Sequence, residues 1–474
     1  MTSSGRWSAP LACVASGVLF FFGTGLHSLW PLTWLAPVPV LILTLRVSAR
    51  RTLVVASLAM LLGGLNEVPY LARLASVPVL ALALLLPSVA FGACVLFYRK
   101  AVRRWPRPMP VLALPAAWTT FEFLLSFNPG SGSAMSLAYT QVPVLPVLQL
   151  AALTGIWGIS FLVMLVASGI ALACHRPEEW VGALSIPAAT LGAVLVFGFV
   201  RLGGEAGTSP LTVGLATSDS AMRFFDAAGG DTARAIAADY ALDVDSLAAR
   251  GAQFVVLPEK AIAVTRETEQ GVITPLTNRA RALGVGVVAG LNHVDPPPRR
   301  NVAAVIGSDG DVLLEYNKTH LIPVFEGDYA PGTTIGTFDT RWGKLGVAVC
   351  KDLDFPRSMR AYGRDGVRVL LVPAWDFGDD GEFHARMAVV RGVENGFALA
   401  RTAARGRLTV SDDRGRVVGD TASDAGARVL AVYDAPLGTG GAPYARWGDW
   451  FAWACLAGTL TLIAAGWPRT ATVP

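Results

Sequence analysis

Long apolar runs fill residues 8–200 and return once at 447–467, whereas 211–436 alternates short apolar runs with charged stretches. A membrane helix needs about 20 mainly apolar residues to cross the hydrocarbon core. That rule predicts seven N-terminal spans, near 8–27, 30–47, 53–70, 77–98, 109–127, 158–174 and 181–200, and an eighth at 447–467. The first run has a thin basic flank, Arg6 alone, and no small-residue cleavage site before polar sequence, so it reads as a retained span rather than a signal peptide. Glu67 and Pro69 interrupt the end of the third. The segment 128–157 is apolar but broken by Pro129, Gly130, Gly132, Pro143 and Pro146, which predicts an external loop at the bilayer surface.

The period changes in the middle region. Short β-branched runs predict strands at 211–216, 254–258, 285–290, 302–306, 345–350, 368–373, 397–403, 407–411 and 416–418. Helical spacing predicts helices at 232–250, at 274–283 with Pro275 in the first turn, and at 382–395. Strands without polar alternation, interleaved with helices, argue for α/β layering with strands buried on both faces. The chain thus divides into a membrane domain at 1–205, a globular domain at 211–436 and a closing span at 447–467.

Composition supports this division. Hydrophobic residues make up 53% of the 474 and charged residues 16%, and the net charge is +4 with no basic cluster interleaved with aromatics. Nucleic acid is therefore excluded as a partner. Loop charge sets an orientation. Arg46, Arg50 and Arg51 follow the second span, Arg99, Lys100, Arg103, Arg104 and Arg107 the fourth, and Arg176 the sixth, while the alternate loops carry only Arg73. The N-terminus is then cytoplasmic and 201–446 lies outside.

Four of the five cysteines, Cys13, Cys94, Cys174 and Cys455, fall in or at apolar spans; Cys350 is the one in the globular region. On an oxidising face, a cysteine with no partner is either an inert buried residue or a nucleophile. Its context offers partners. Glu259 follows Val255-Val256-Leu257-Pro258 and Cys350 follows Leu345-Gly346-Val347-Ala348-Val349, so both sit at strand carboxyl ends, where reactive groups collect in α/β folds. Lys318 sits in Tyr316-Asn317-Lys318-Thr319-His320. Together they form a set for acyl transfer: a thiol nucleophile, a carboxylate base, and an ammonium for the oxyanion. His320 and His384 offer a rival Cys-His pairing. The five histidines show no metal-ligand spacing, so neither a metal nor another cofactor is expected.

These three segments resemble the Glu-Lys-Cys triad of the nitrilase (carbon–nitrogen hydrolase) superfamily, and the whole chain is similar to its membrane-bound branch, the apolipoprotein N-acyltransferases. The likeness includes Leu114-Pro115-Ala116-Ala117-Trp118 with Glu122, Gly155-Ile156-Trp157-Gly158-Ile159-Ser160-Phe161, Pro373-Ala374-Trp375-Asp376-Phe377-Gly378, His384 to Asn395, and Tyr444 to Trp450. It implies a bundle of about eight spans plus an αββα nitrilase-like domain. Glu259 would be the base, Lys318 the oxyanion stabiliser and Cys350 the acylated nucleophile. Glu326 matches a second essential glutamate on a loop over the site, a role that Asp328 could share. Asp352 keeps the acidic character two residues after the nucleophile, Trp375 and His384 are possible pocket residues, and Arg391 with Glu394 is a structural ion pair.

One departure stands out. The family typically reads Cys-Tyr-Glu where this chain has Cys350-Lys351-Asp352, and an ammonium beside the thiol is expected to favour the thiolate. The resemblance implies transfer of an acyl group from a membrane phospholipid, through a cysteine thioester, to the amine of a diacylglyceryl-cysteine lipoprotein. The setting would be the outer face of the bacterial inner membrane. Lys351 keeps open a membrane-tethered amidase or nitrilase-type hydrolase, with water as acceptor; a catalytically silent transport or scaffold protein is the third class.

Overall fold

The computed structural model describes residues 4–105, 108–204, 210–218, 230–423 and 428–465. Arg107, residue 205 and the end of the last expected span, 466–467, lie outside them. The chain forms two compact units. One comprises Met1–Asn128, Met135–Val200 and Asp449–Pro474; the other comprises Pro129–Ala134 and Arg201–Gly448.

Among the described residues, the regular elements of the first unit are all helices. Four stretches, Ala49–Leu74, Val77–Arg104, Ile156–His175 and Pro177–Leu202, are long and apolar enough to cross a membrane. The first expected span falls on the 20-residue helix Ser4–Gly23, and the others form shorter apolar helices within Trp30–Thr44, Met109–Leu125 and Trp450–Ala464, so length alone does not establish eight full spans among the described residues. Proline explains two of the breaks. The run 30–47 splits into Trp30–Leu35 and Val38–Thr44 around Pro37, and the fifth begins as a tight turn, Met109–Leu112, before its α-helix Ala113–Leu125. Phe20, Phe91 and Trp118 pack edge to face at the centre of this unit, with centroids 5.3 and 5.8 Å apart. Large apolar side chains such as Leu11, Val77, Leu82 and Val200 point outward.

The expected loop 128–157 is exposed at its start, residues 128–130, and is largely buried from Ser136 onward. Leu137–Gln141, Leu145–Leu148 and Ala151–Thr154 are helical turns with Leu137, Tyr139, Gln141 and Leu148 buried. Trp34 Nε1 donates to Gln141 Oε1 at 2.7 Å. Buried Glu122 accepts from Trp118 Nε1, Ser136 Oγ, Ser160 Oγ and the Leu137 amide at 2.6–2.9 Å, which satisfies both carboxylate oxygens inside an apolar unit.

The second unit is a sandwich of two sheets. The strands are β1 (Leu211–Thr217), β2 (Phe254–Val256), β3 (Ile262–Val264), β4 (Gly286–His293), β5 (Arg300–Ile306), β6 (Val312–Asn317), β7 (Gly336–Thr340), β8 (Gly343–Val347), β9 (Val369–Ala374), β10 (Ala398–Ala403), β11 (Arg407–Ser411), β12 (Val417–Ala422) and β13 (Val429–Ala435). One sheet has the order β13-β1-β2-β4-β5-β6, with β3 added on β4; the other runs β12-β11-β10-β9-β8-β7. Val213, Leu215, Val256 and Val305 of the first sheet meet Leu345, Val347, Leu371, Ala400 and Val410 of the second in one buried core. The helices Gly230–Ala249 and Glu269–Leu283 cover the outer face of the first sheet, and Pro356–Arg364 and Gly381–Asn395 that of the second. This is an αββα arrangement, whose central strands are buried on both faces.

Four strands escaped the sequence pattern: β3 is three residues long, β6 and β13 are partly exposed, and β7 is polar. The second helix starts at Glu269, so Pro275 lies inside it rather than in its first turn. The strand expected over 345–350 ends at Val347, because Cys350 turns to φ +44 and opens a tight helical turn, Cys350–Asp354.

Candidate active site

Glu259 and Cys350 each lie three residues beyond the end of a strand, β2 and β8, whose neighbours β4 and β9 run parallel to them. Lys318 follows β6 directly. The sandwich gathers all three at one end, where Lys318 is 0% and Glu259 2% exposed and Cys350 is half-buried. The Lys318 ammonium donates to Glu259 Oε1 at 2.7 Å and to Glu326 Oε2 at 2.9 Å. Burial alone would lower the Lys318 pKa, but Glu259 and Glu326 outweigh it and raise it above its ordinary value, so the cation is permanent.

Close packing puts Glu259 there. A β-carbon on Gly290 of β4 would sit 1.9 Å from the Pro258 carbonyl and 2.9 Å from Glu259 Cα, so only glycine lets this strand end approach. Asn301 of β5 donates from Nδ2 to Glu259 Oε1 at 2.6 Å and to Glu326 Oε1 at 2.7 Å. Glu259 Oε2 is buried and unpaired. Glu326 also accepts from the Ile322 amide and from Lys260. Burial would raise its pKa, but Lys318 and Lys260 outweigh this and hold it down at about 2. Asp328 does not share the role: it is exposed and pairs with Arg299 at 3.3 Å.

Around the thiol, burial is the largest influence. It pushes the Cys350 pKa well above its ordinary value; Glu259 and Asp376 add to the rise, while Lys318 and Arg401 oppose it. Cys350 is therefore a thiol at rest, and its Sγ lies 3.5 Å from the Trp375 carbonyl oxygen. Asp376, next in the chain, forms a buried two-point ion pair with Arg401 of β10.

The expected effect of Lys351 on the thiol is corrected by its contacts. Its ammonium donates to the Gly130 carbonyl at 2.8 Å and to Asp354 Oδ2 at 3.2 Å. Ser133 donates from both its amide and its hydroxyl to the Asp354 carbonyl at 2.9 and 2.7 Å. Gly132, at φ +53, has no room for a β-carbon, which would stand 2.6 Å from that same oxygen. The cation thus holds residues 129–134 against the turn after Cys350.

Asp352 organises that turn. It accepts from the amides of Val349, Thr319 and His320 at 2.8–3.1 Å and from the Tyr316 hydroxyl at 2.8 Å. Burial pushes its pKa up to about 6 against the pull of these donors. The rival histidines are engaged elsewhere. His320 stacks on Phe355 and bonds Ser358 Oγ at 2.7 Å, and burial lowers its pKa to about 4. His384 pairs with Asp380 at 3.2 Å, which raises its pKa although burial opposes this. Trp375 is half-buried, and Arg391 pairs with Glu394 within the helix Gly381–Asn395.

Asn301, Lys260, Tyr316 and Arg401 were not singled out by the sequence. Each is a polar residue in or beside an apolar strand run, a signal that carries no partner identity without the fold.

A thiol, a carboxylate and an ammonium at the strand ends of an αββα sandwich are the furniture of a carbon–nitrogen hydrolase-type domain. The carbon-nitrogen hydrolase family model matches residues 231–431, and that of the apolipoprotein N-acyltransferase N-terminal domain matches 16–169. The chain is 29% identical to the apolipoprotein N-acyltransferase of Geobacter metallireducens, covering 97% of this chain and 95% of that one. It is 28% identical to that of Bradyrhizobium diazoefficiens over 76% of this chain and 73% of the other. An (R)-stereoselective amidase from Pseudomonas sp. is 28% identical over 31% of this chain. A solved amidase from Nesterenkonia sp. aligns with 48% of this chain and 93% of its own at 23% identity, with a TM-score of 0.40. Taken together, these matches make the chain similar over most of its length to the apolipoprotein N-acyltransferases.

Proposed function

We propose that this protein is an integral membrane N-acyltransferase that moves a fatty acyl group from a phospholipid to the N-terminal amine of a diacylglyceryl-cysteine lipoprotein. Catalysis occurs on the outer face of the bacterial inner membrane. Glu259, Lys318 and Cys350 carry the chemistry. The observation that carries this reading is the unpaired Glu259 Oε2, with Oε1 already occupied by Lys318 and Asn301, in a cluster whose Glu259 and Lys318 charges both act on the half-buried Cys350 thiol.

Because Cys350 is not ionised at rest, attack needs a base. Glu259 takes the Sγ proton as sulfur adds to the phospholipid ester carbonyl, and Lys318 steadies the oxyanion. The ester C–O bond breaks, Glu259 returns the proton to the leaving lysophospholipid oxygen, and a thioester remains. The lipoprotein amine then adds to the thioester carbonyl and loses a proton to Glu259; the C–S bond breaks and the thiol is reprotonated as the amide forms. Both substrates are anchored in lipid, which suits a site on a chain with membrane-length helices.

The hydrolase alternative rested on Lys351, whose ammonium is engaged by Gly130 and Asp354, and the amidases match about a third of the chain or less. The test is incubation of purified protein with acyl-labelled phospholipid and a diacylated lipopeptide. A hydroxylamine-sensitive label on Cys350 that passes to the amine is expected. Passage to water supports the hydrolase, and labelling unchanged in Cys350→Ala overturns the triad.

A further inference from the structure

Lys260 follows Glu259 in the chain, and the transfer chemistry above gives it no task. We infer that Lys260 is a positioning residue for Glu326: its ammonium is the second cation against the Glu259–Lys318–Glu326 cluster, and it holds the loop 322–329 against the site. The inference rests on the triad reading.

Two contacts place it. Lys260 Nζ lies 3.2 Å from Glu326 Oε1 and 5.1 Å over the centroid of the Tyr329 ring. Tyr329 in turn donates to Asn292 Oδ1 of β4 at 2.8 Å. One side chain therefore grips two points of the loop, three residues apart. Its backbone has φ +50, a conformation that a residue with a β-carbon keeps only where its surroundings impose it.

Charge counting gives the contacts their meaning. Lys318 alone faces two carboxylates, at 2.7 and 2.9 Å, inside a buried site. One ammonium between two carboxylates leaves a net negative charge there, and a buried excess charge is relieved by proton uptake. Lys260 cancels that excess. Other ionisable or charged groups near the loop include the Cys350 thiol, Asp352 at the Thr319 and His320 amides, and Arg299, which lies 6.0 Å from the Tyr329 centroid and pairs with Asp328. None of these contacts supplies a positive charge to Glu326.

The test uses full-length protein in detergent and single-turnover thioester formation on Cys350 from labelled phospholipid, followed from about pH 2.5 to 9, so that a limb set by Glu326 near pH 2 to 3 is read. Wild type is compared with Lys260→Met, Lys260→Arg, Glu326→Gln and the double variant Lys260→Met/Glu326→Gln. Lys260→Met is expected to slow the rate constant about 10- to 100-fold, on the scale of a lost charged hydrogen bond, and to move the acid limb up by about one pH unit. Lys260→Arg restores most of both, and Lys260→Met adds little in the Glu326→Gln background, because the two residues act as a pair. Misfolding lowers the amount of thioester formed, not the rate constant or the limb. A wild-type rate constant and limb in Lys260→Met, or full additivity in the double variant, overturns the inference. Cys350→Ala and Glu259→Gln run alongside: label persisting in both sinks the triad reading, whereas silent triad variants with a normal Lys260→Met sink only this inference.

Discussion

The His320 amide donates to Asp352 Oδ1 at 2.8 Å, so the turn that carries Cys350 is pinned to the backbone immediately after Lys318. The Thr319 amide bonds the same oxygen at 3.1 Å, and the Val349 amide bonds the other at 2.9 Å. One carboxylate thereby sets the spacing between the thiol and the ammonium, although it belongs to neither. Asp352→Ala should slow thioester formation by about 10- to 100-fold, since each hydrogen bond to a charged group is worth about 1.5–3 kcal/mol. It should also lower the thermal midpoint of the protein. Wild-type kinetics in Asp352→Ala would remove Asp352 from this role.

The thiol offers a test of sign. Glu259 raises the Cys350 pKa and Lys318 lowers it. In Glu259→Gln the apparent pKa for alkylation should therefore fall, while acyl transfer drops by about 10²- to 10⁴-fold with the loss of a general base. In Lys318→Met the alkylation pKa should rise. Iodoacetamide labelling, read at the Cys350 peptide by mass spectrometry across pH, separates the two. Fast alkylation of wild-type Cys350 at pH 6 would contradict a resting thiol.

Lys351→Met should leave that alkylation profile in place, because its ammonium serves Gly130 and Asp354. It should instead raise protease cleavage within 129–134, with Gly132→Ala as a second route to the same loosening. A rise of about one unit in the Cys350 alkylation pKa would restore the electrostatic role expected from the sequence.

Glu326 gives the loop 322–329 a pH dependence. Its folded pKa of about 2 lies below the ordinary 4.5, so the unfolded or opened chain binds the proton first. The stabilisation it provides is complete above pH 4.5 and is lost as pH falls toward 2. Hydrogen exchange of 322–329 should therefore be slow at pH 7 and, corrected for intrinsic rates, faster near pH 3. Glu326→Gln should exchange faster at pH 7 and respond less to acid.

Gly290 tests the packing that brings Glu259 to the site. Gly290→Ala places a methyl 1.9 Å from the Pro258 carbonyl, and the β2 end must move. We expect loss of several degrees in thermal midpoint and a slower acylation step. An unchanged rate would show that the strand end can yield without moving Glu259.

Much of the candidate site could be proposed from the sequence because its residues carry local signatures. Leu257-Pro258-Glu259, Asn317-Lys318-Thr319-His320 and Val349-Cys350 each join an apolar run to a reactive side chain, and strand ends are where such groups collect. Glu326 was found by resemblance alone. The polar side chains that hold the site were not legible. Asn301 and Arg401 interrupt β-strand runs, and nothing local says which charge each will meet across the sandwich. The membrane half shows the converse limit. Hydropathy finds apolar segments but not helix breaks, so Pro37 and the turn at 109–112 shortened two expected spans.

By itself the sequence determined where the chain is apolar, where its period changes from helical to layered strand and helix, and which three residues could do acyl chemistry. These depend on composition and spacing along the chain. Only the tertiary structure decided what Lys351 and Lys260 do. The two lysines look alike in the sequence, each following a proposed catalytic residue. One reaches Gly130, 221 residues away, and the other Glu326, 66 residues away. A flexible cation takes its role from whichever carbonyl or carboxylate the fold brings within 3 Å or so, and that choice belongs to packing rather than to neighbours in the chain.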